Sequence, residues 1–149
     1  MSESANFTID DKVVMAKLHA LTAFAKKQTA ERALMAGGLP IQNAAKEKAP
    51  KETRTLARSI HMEAVDEPGK LAAIKLGTNE IYAAIHEFGG IILPKNATML
   101  HFFIGSEEIF AKSVHMPARP YMRPAFDEQK GNAVRDTTAA LRTLLKAAL

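Results

Sequence analysis

Cysteine is absent from the 149 residues, which excludes disulfides and thiolate metal sites. Tryptophan is absent too, and the aromatic residues are seven Phe and two Tyr, so no ring cluster of the kind that stacks on RNA bases stands out. No apolar run approaches the ~20 residues that a bilayer-spanning helix needs. Residues 1–11 hold Glu3, Asp10 and Asp11 but no basic residue, so a secretion leader is not expected and the cytoplasm is the expected site of synthesis. Repeats and low-complexity linkers are also missing. A chain of this length suits one domain over residues 1–149, with residues 1–9 expected to be a flexible N-terminus.

Motifs for catalysis are equally scarce. His86-Glu87 opens like a zinc-protease helix, but the second His would fall at position 90, which is Gly90. Ser106 follows Gly105 without the second glycine of a nucleophile elbow, and Ser113 has no such setting. Neither glycine-rich phosphate loop occurs. The acid pairs Asp66-Glu67, Glu107-Glu108 and Asp127-Glu128 fall in turns or at a helix start, where solvent and the helix dipole favour them. Among five histidines, His101 and His115 are the pair that two strands could bring together around a metal. The expectation is a protein that is not an enzyme, with no cofactor and no metal.

The charge balance is mildly basic, +4 at neutral pH. Lys and Arg are spread along the chain, densest at Lys46, Lys48, Lys51, Arg54 and Arg58, where Glu47 and Glu52 intervene. That stretch reads as a solvated helix end and loop, or as a surface that meets DNA phosphates without reading sequence.

The apolar rhythm of Val14, Leu18, Leu21 and Ala25 predicts a long helix over residues 10–36, capped by Asp10 or Asp11. Gly37, Gly38 and Pro40 predict a break, then a second helix over residues 40–48 that Pro50 ends. Alternation predicts strands over residues 56–65 and 71–76 around the turn Asp66-Glu67-Pro68-Gly69. Ile81, Ala84, Ile85 and Phe88 at helical spacing predict a short helix over residues 79–88, with Asn79 its expected cap, ended by Gly89-Gly90 and followed by an extended segment over 91–95. A hairpin is then expected with strands over 99–104 and 109–114 and a loop over 105–108. Residues 116–124 hold Pro117, Pro120 and Pro124 and read as an extended loop, and residues 123–149 as a C-terminal helix. The class is α+β: a long N-terminal helix and a C-terminal helix packed on an antiparallel sheet with a protruding β-hairpin.

Four segments carry a more specific signal. They are A-P-K-E-T-R-T-L-A-R-S-I at Ala49 to Ile60, Y-A-A-I-H-E-F-G-G at Tyr82 to Gly90, I-L-P-K at Ile92 to Lys95, and M-P-A-R-P-Y-M-R-P-A-F at Met116 to Phe126. Their order and spacing resemble the neck, or tail-completion, family of siphovirus-type bacteriophages. The virion morphogenesis proteins of contractile-tailed phages, tail terminators among them, are similar in the P-A-R-P-x-x-x-P segment. The siphovirus-type pattern has glycine where this chain has Arg54, and glycine there would permit a positive-φ turn.

The resemblance implies a structural virion protein that closes into a homo-oligomeric ring, expected to be hexameric, between the head connector and the tail tube or terminator. It implies assembly in the host cytoplasm, a place in the virion neck, no membrane partner, and non-specific contact with genomic DNA in the lumen. The residues fit such a role. Arg119, between Pro117 and Pro120, is pre-positioned to offer a bidentate guanidinium, with Glu87 the expected partner. Tyr82, Phe88, Tyr121 and Phe126 are expected to anchor the loop and short helix on the core. The hairpin, through Phe102, Phe103 and Phe110, is expected to contact a neighbouring subunit. A free DNA-binding module and a small hydrolase with a strand-borne histidine site are the competing readings.

Overall fold

The computed structural model describes residues 11–51 and 54–147. The flexible segment expected over residues 1–9, capping by Asp10, and the stripe at Val14, Leu18 and Leu21 lie outside what it describes.

One unbroken helix, α1, runs from Asp11 to Lys48. The expected break at Gly37-Gly38-Pro40 does not occur, although an interior proline and two glycines oppose helix by several kcal/mol. Packing accounts for the outcome. A Cβ on Gly37 would sit 1.8 Å from Thr137 Oγ1 and 2.6 Å from the Ala133 carbonyl oxygen, both on the C-terminal helix. A Cβ on Gly38 would sit 2.4 Å from Met62 Sδ and 3.0 Å from Ile74 Cδ1. The two glycines are therefore the points where a second helix and a hairpin close onto α1.

The next helix, α2, is a single turn from Thr55 to Ser59, so the strand expected from residue 56 starts later. Arg54 takes the left-handed conformation, φ 56 and ψ 3, and turns the chain into that helix. Ser59 Oγ closes the turn, donating to the Leu56 carbonyl at 2.8 Å. The same hydroxyl lies 2.5 Å from Thr78 Oγ1, which ties the turn to the end of the following hairpin.

That hairpin pairs β1, His61–Val65, antiparallel with β2, Ala73–Gly77, matching Met62 with Leu76 and Ala64 with Ile74. The hairpin expected from the alternation is thus present, although the second strand starts two residues later than expected. Lys27 on α1 bonds Asp66 at the hairpin tip.

A short helix, α3, spans Ala83–Phe88, starting four residues later than expected, with Tyr82 and not Asn79 at its N-cap. From it grows a two-stranded arm. Its root pairs β3, Gly90–Ile92, with β6, Val114–Met116. Its tip pairs β4, Leu100–Ile104, with β5, Glu107–Ala111. Only Gly105 and Ser106 join β4 to β5, instead of the four-residue loop expected. Gly105 has φ +64 and Ser106 does not share the positive φ, the pattern of a two-residue hairpin turn with glycine first. The strand expected over residues 109–114 is really two, separated at Lys112-Ser113. Outside their own pairing, β4 and β5 meet other elements only marginally.

The last helix, α4, spans Met122–Ala147 and packs along α1. The strands form three separate two-stranded ladders, not the one sheet expected, within an α+β fold. The central core is small and rich in alanine: Ala45, Ala49, Leu56, Ile60, Ala83, Tyr121 and Ala125. Small side chains let the backbones approach, and Tyr121 and Ile60 fill the largest buried positions. Six of these seven residues come from the first, second and fourth signature segments, so the signature is first of all a packing code. No helix among the described residues is long and apolar enough to cross a membrane.

Candidate functional site

The first turn of a helix leaves four backbone N–H groups without intrahelical acceptors. In α4 these belong to positions 121 to 124. Glu87, in the last turn of α3, accepts three of them. Its Oε2 takes the N–H of Tyr121 at 2.8 Å and of Met122 at 2.9 Å, and its Oε1 takes that of Arg123 at 2.9 Å. The fourth position is Pro124, which has no N–H to satisfy. One carboxylate and one proline thus account for the whole helix end, and the positive end of the helix dipole faces the negative charge. Burial alone would raise the Glu87 pKa, but the three N–H donors and the nearby Arg123 charge outweigh it and hold the pKa below the ordinary value.

This corrects the expected Arg119–Glu87 ion pair. Glu87 is fully engaged by backbone amides, and Arg119 contributes its own backbone N–H, which donates to the His86 carbonyl at 2.7 Å. The Arg119 side chain is exposed and enters no ion pair among the described residues. Pro117 and Pro120 flank it as exposed, extended loop. The lock between the α3 region and α4 exists, but main-chain groups and one carboxylate make it.

Gly89 completes the junction. Its φ of 69 and ψ of −177 are open to glycine alone. A Cβ there would lie 2.7 Å from the Ala118 nitrogen and 2.9 Å from the Met116 carbonyl oxygen. The two stems of the arm therefore touch at its root.

The aromatic residues divide. Tyr121 is buried as expected, and burial, followed by the charge of Glu87 and the neighbouring Tyr82, raises its hydroxyl pKa. Tyr82 is half-buried against the core and meets the His86 ring edge-on at 5.8 Å. Phe88 and Phe126, expected to be anchors, are not: they are 80% and 53% exposed. Both line an open groove of about 650 Å³ between α3 and the start of α4. His86 Nδ1 is buried without a hydrogen-bond partner among the described residues.

On the arm, Phe103, Ile104 and Phe110 are each about 60% exposed, and Phe102 is half-buried. His101 stacks on Phe110 with ring centres 4.7 Å apart, and its Nε2 lies 2.7 Å from Glu108 Oε1. His115 sits on β6 opposite Ile91, so the two histidines fall on different ladders. The described residues hold no group of three or more metal-ligating side chains.

The basic residues gather around the end of α1 and α2. Lys48 is engaged, its Nζ 2.9 Å from Glu128 Oε1 on α4. Lys51, Arg54 and Arg58 are exposed and Lys46 is partly so, and none of the four forms an ion pair among the described residues.

Sequence reasoning missed the Glu87 cap and the groove. A signal for the cap was present: α4 starts with Tyr121-Met122-Arg123-Pro124 and has no Ser, Thr, Asp or Asn to cap itself, so its amides need an acceptor from elsewhere.

The profile of the phage virion morphogenesis family matches residues 39–142, a span that includes all four signature segments, the Glu87 cap and the arm. It is the second of the two phage families that those segments resemble. No curated protein and no solved structure matches the chain. With well over half its length so matched, the chain belongs to the phage virion morphogenesis family and is a structural protein of virion assembly.

Proposed function

We propose that this protein is a tail-completion subunit that closes into a ring, with six copies the expected number, at the joint between head connector and tail. The observation that carries this reading is the arm. It leaves Phe103, Ile104 and Phe110 in solvent on a ladder only two strands wide. Such a ladder is marginally stable alone, and an exposed apolar patch on it marks a contact surface. The Glu87 cap fixes the arm's root to α4, so a contact made by the arm is transmitted to the body. The role is joining, without turnover.

In such a ring Lys46, Lys51, Arg54 and Arg58 supply positive charge for non-specific contact with DNA in the channel. That contact weakens with added salt in proportion to the phosphates neutralised. The siphovirus-type neck pattern supports a position against the head connector. The family match favours a second reading, a tail terminator of a contractile-tailed phage seated on the tail tube.

Mass measurement of the purified protein alone, with connector protein and with tail-tube protein tests both. A multimer that captures the connector supports the neck position, and one that captures the tail tube supports the terminator. A protein that stays monomeric and binds neither sinks the proposal.

A further inference from the structure

We propose that the groove between α1, α4, β2 and α3 is the seat for the β4–β5 arm tip of a second copy of this chain, so that copies join head to tail. This deepens the ring reading and rests on it.

The 650 Å³ groove is continuous with a neighbouring one of about 550 Å³, because Ile41, Leu76 and Phe126 line both. Together they make an apolar trough along the α1–α4 seam, with Phe88 at one end and Val134, 69% exposed, at the other. The chain does not fill this trough with its own arm, since β4 and β5 barely touch other elements.

A second copy fits on three grounds. First, the arm presents apolar residues on both faces, so a trough can take one face and leave the other for a wall of the same joint. Second, Phe103, Phe110, Phe88 and Phe126 are 53–80% exposed. At about 150–250 Å² per ring, these four alone supply roughly 400–600 Å² of the ~1,600 Å² that a standard interface buries. Third, the charges complement. Glu107 at the tip has no ion pair among the described residues, while Arg123 lines the groove and Arg119, also unpaired among them, directly precedes the groove-lining Pro120. The Arg123 side chain is 84% exposed, and its one ion pair among the described residues is a 3.8 Å contact with Asp127. Arm and groove are different surfaces, so the contact is heterologous. It closes into a ring when the rotation allows and otherwise runs on as a filament.

A complementation experiment tests this. Phe103→Glu spoils the arm and keeps the groove; Val134→Glu spoils the groove and keeps the arm. Both positions are exposed, so each variant is expected to keep its helical circular dichroism and its melting temperature within about 2 °C. Each alone is expected to be monomeric where the parent assembles. Mixed in equal amounts, they are expected to give a dimer of twice the 16.2 kDa chain mass, because one intact arm and one intact groove remain. The cysteine-free background adds a second readout: mild oxidation of a Ser106→Cys and Val134→Cys mixture is expected to give the mixed disulfide. Three results overturn the inference while leaving the ring standing: assembly unaffected by either Glu variant, no dimer from the mixture, or Ser106→Cys linking mainly to itself, the mark of arm-to-arm pairing. A parent that never assembles, alone or with connector or tail-tube protein, overturns both.

Discussion

Glu87 Oε1 and the backbone N–H of Arg123 are 2.9 Å apart across 36 residues of sequence, and that contact joins the short helix before the arm to the long helix after it. Removing the carboxylate leaves three amides without their acceptor. Glu87→Ala is expected to cost about 1–3 kcal/mol, since water can reach part of this surface. Glu87→Gln keeps one oxygen and is expected to cost less. Urea unfolding of the two variants checks the order, and equal stability of all three proteins would refute the capping role.

The lowered pKa of Glu87 makes the same contact pH-dependent. A group whose folded pKa lies below its unfolded value contributes stability that is complete above the unfolded value, about 4.3 for Glu, and lost as pH falls through the folded one. The stability gap between the parent and Glu87→Gln is therefore expected to hold from neutral pH down to about 5 and to shrink below that. Thermal melts of both proteins between about pH 7 and pH 3 measure it. A gap that widens toward acid would reverse the assigned sign.

Gly37 and Gly131 are both helix-interior glycines and are expected to respond oppositely to alanine. At Gly37 the added Cβ meets a backbone oxygen at 2.6 Å as well as Thr137 Oγ1, so α1 and α4 must separate. The expected loss is about 1–3 kcal/mol after the gain in helix propensity. Trimming Thr137 to Ala removes only part of that clash. At Gly131 a Cβ meets nothing within 4 Å, and the gain of up to ~1 kcal/mol should raise the melting temperature by about 2–4 °C.

Arg54 stands at φ 56, where a side chain costs about 1 kcal/mol relative to glycine. Arg54→Gly is expected to raise stability by up to that amount and to weaken duplex binding at low salt by removing one cation. Paired calorimetry and fluorescence anisotropy separate the two effects.

Much of the architecture was readable because burial imposes its period. The pairing of β1 with β2 followed from two alternating runs around a turn, and the C-terminal end of α3 from Gly89, whereas its start fell at Ala83 and not at Asn79. The unbroken α1 was not readable, because Gly37, Gly38 and Pro40 oppose a helix locally. The contacts that override them, with Thr137 and Met62, lie in distant parts of the chain. Arg54 illustrates the opposite case: the resemblance to the siphovirus-type pattern marks the position as one where glycine would be expected, and its backbone does take the positive φ. The pairing of Arg119 with Glu87 failed for a simple reason. A carboxylate beside a helix start finds several fixed backbone donors there, whereas a flexible guanidinium must first be ordered. Phe88 and Phe126 were assigned to the core by residue type, and only the positions of α3 and α4 reveal that they face outward.

The touching stems at Gly89 and Ala118 mean that everything between them is a cassette inserted at one point of the body. The core and the α1–α4 seam close without it, so excising residues 93–113 and bridging Ile92 to Val114 with a short glycine-containing turn should yield a smaller protein that still folds. Evolution can then lengthen, shorten or re-face that insert to suit a different neighbour while the body beneath it stays the same.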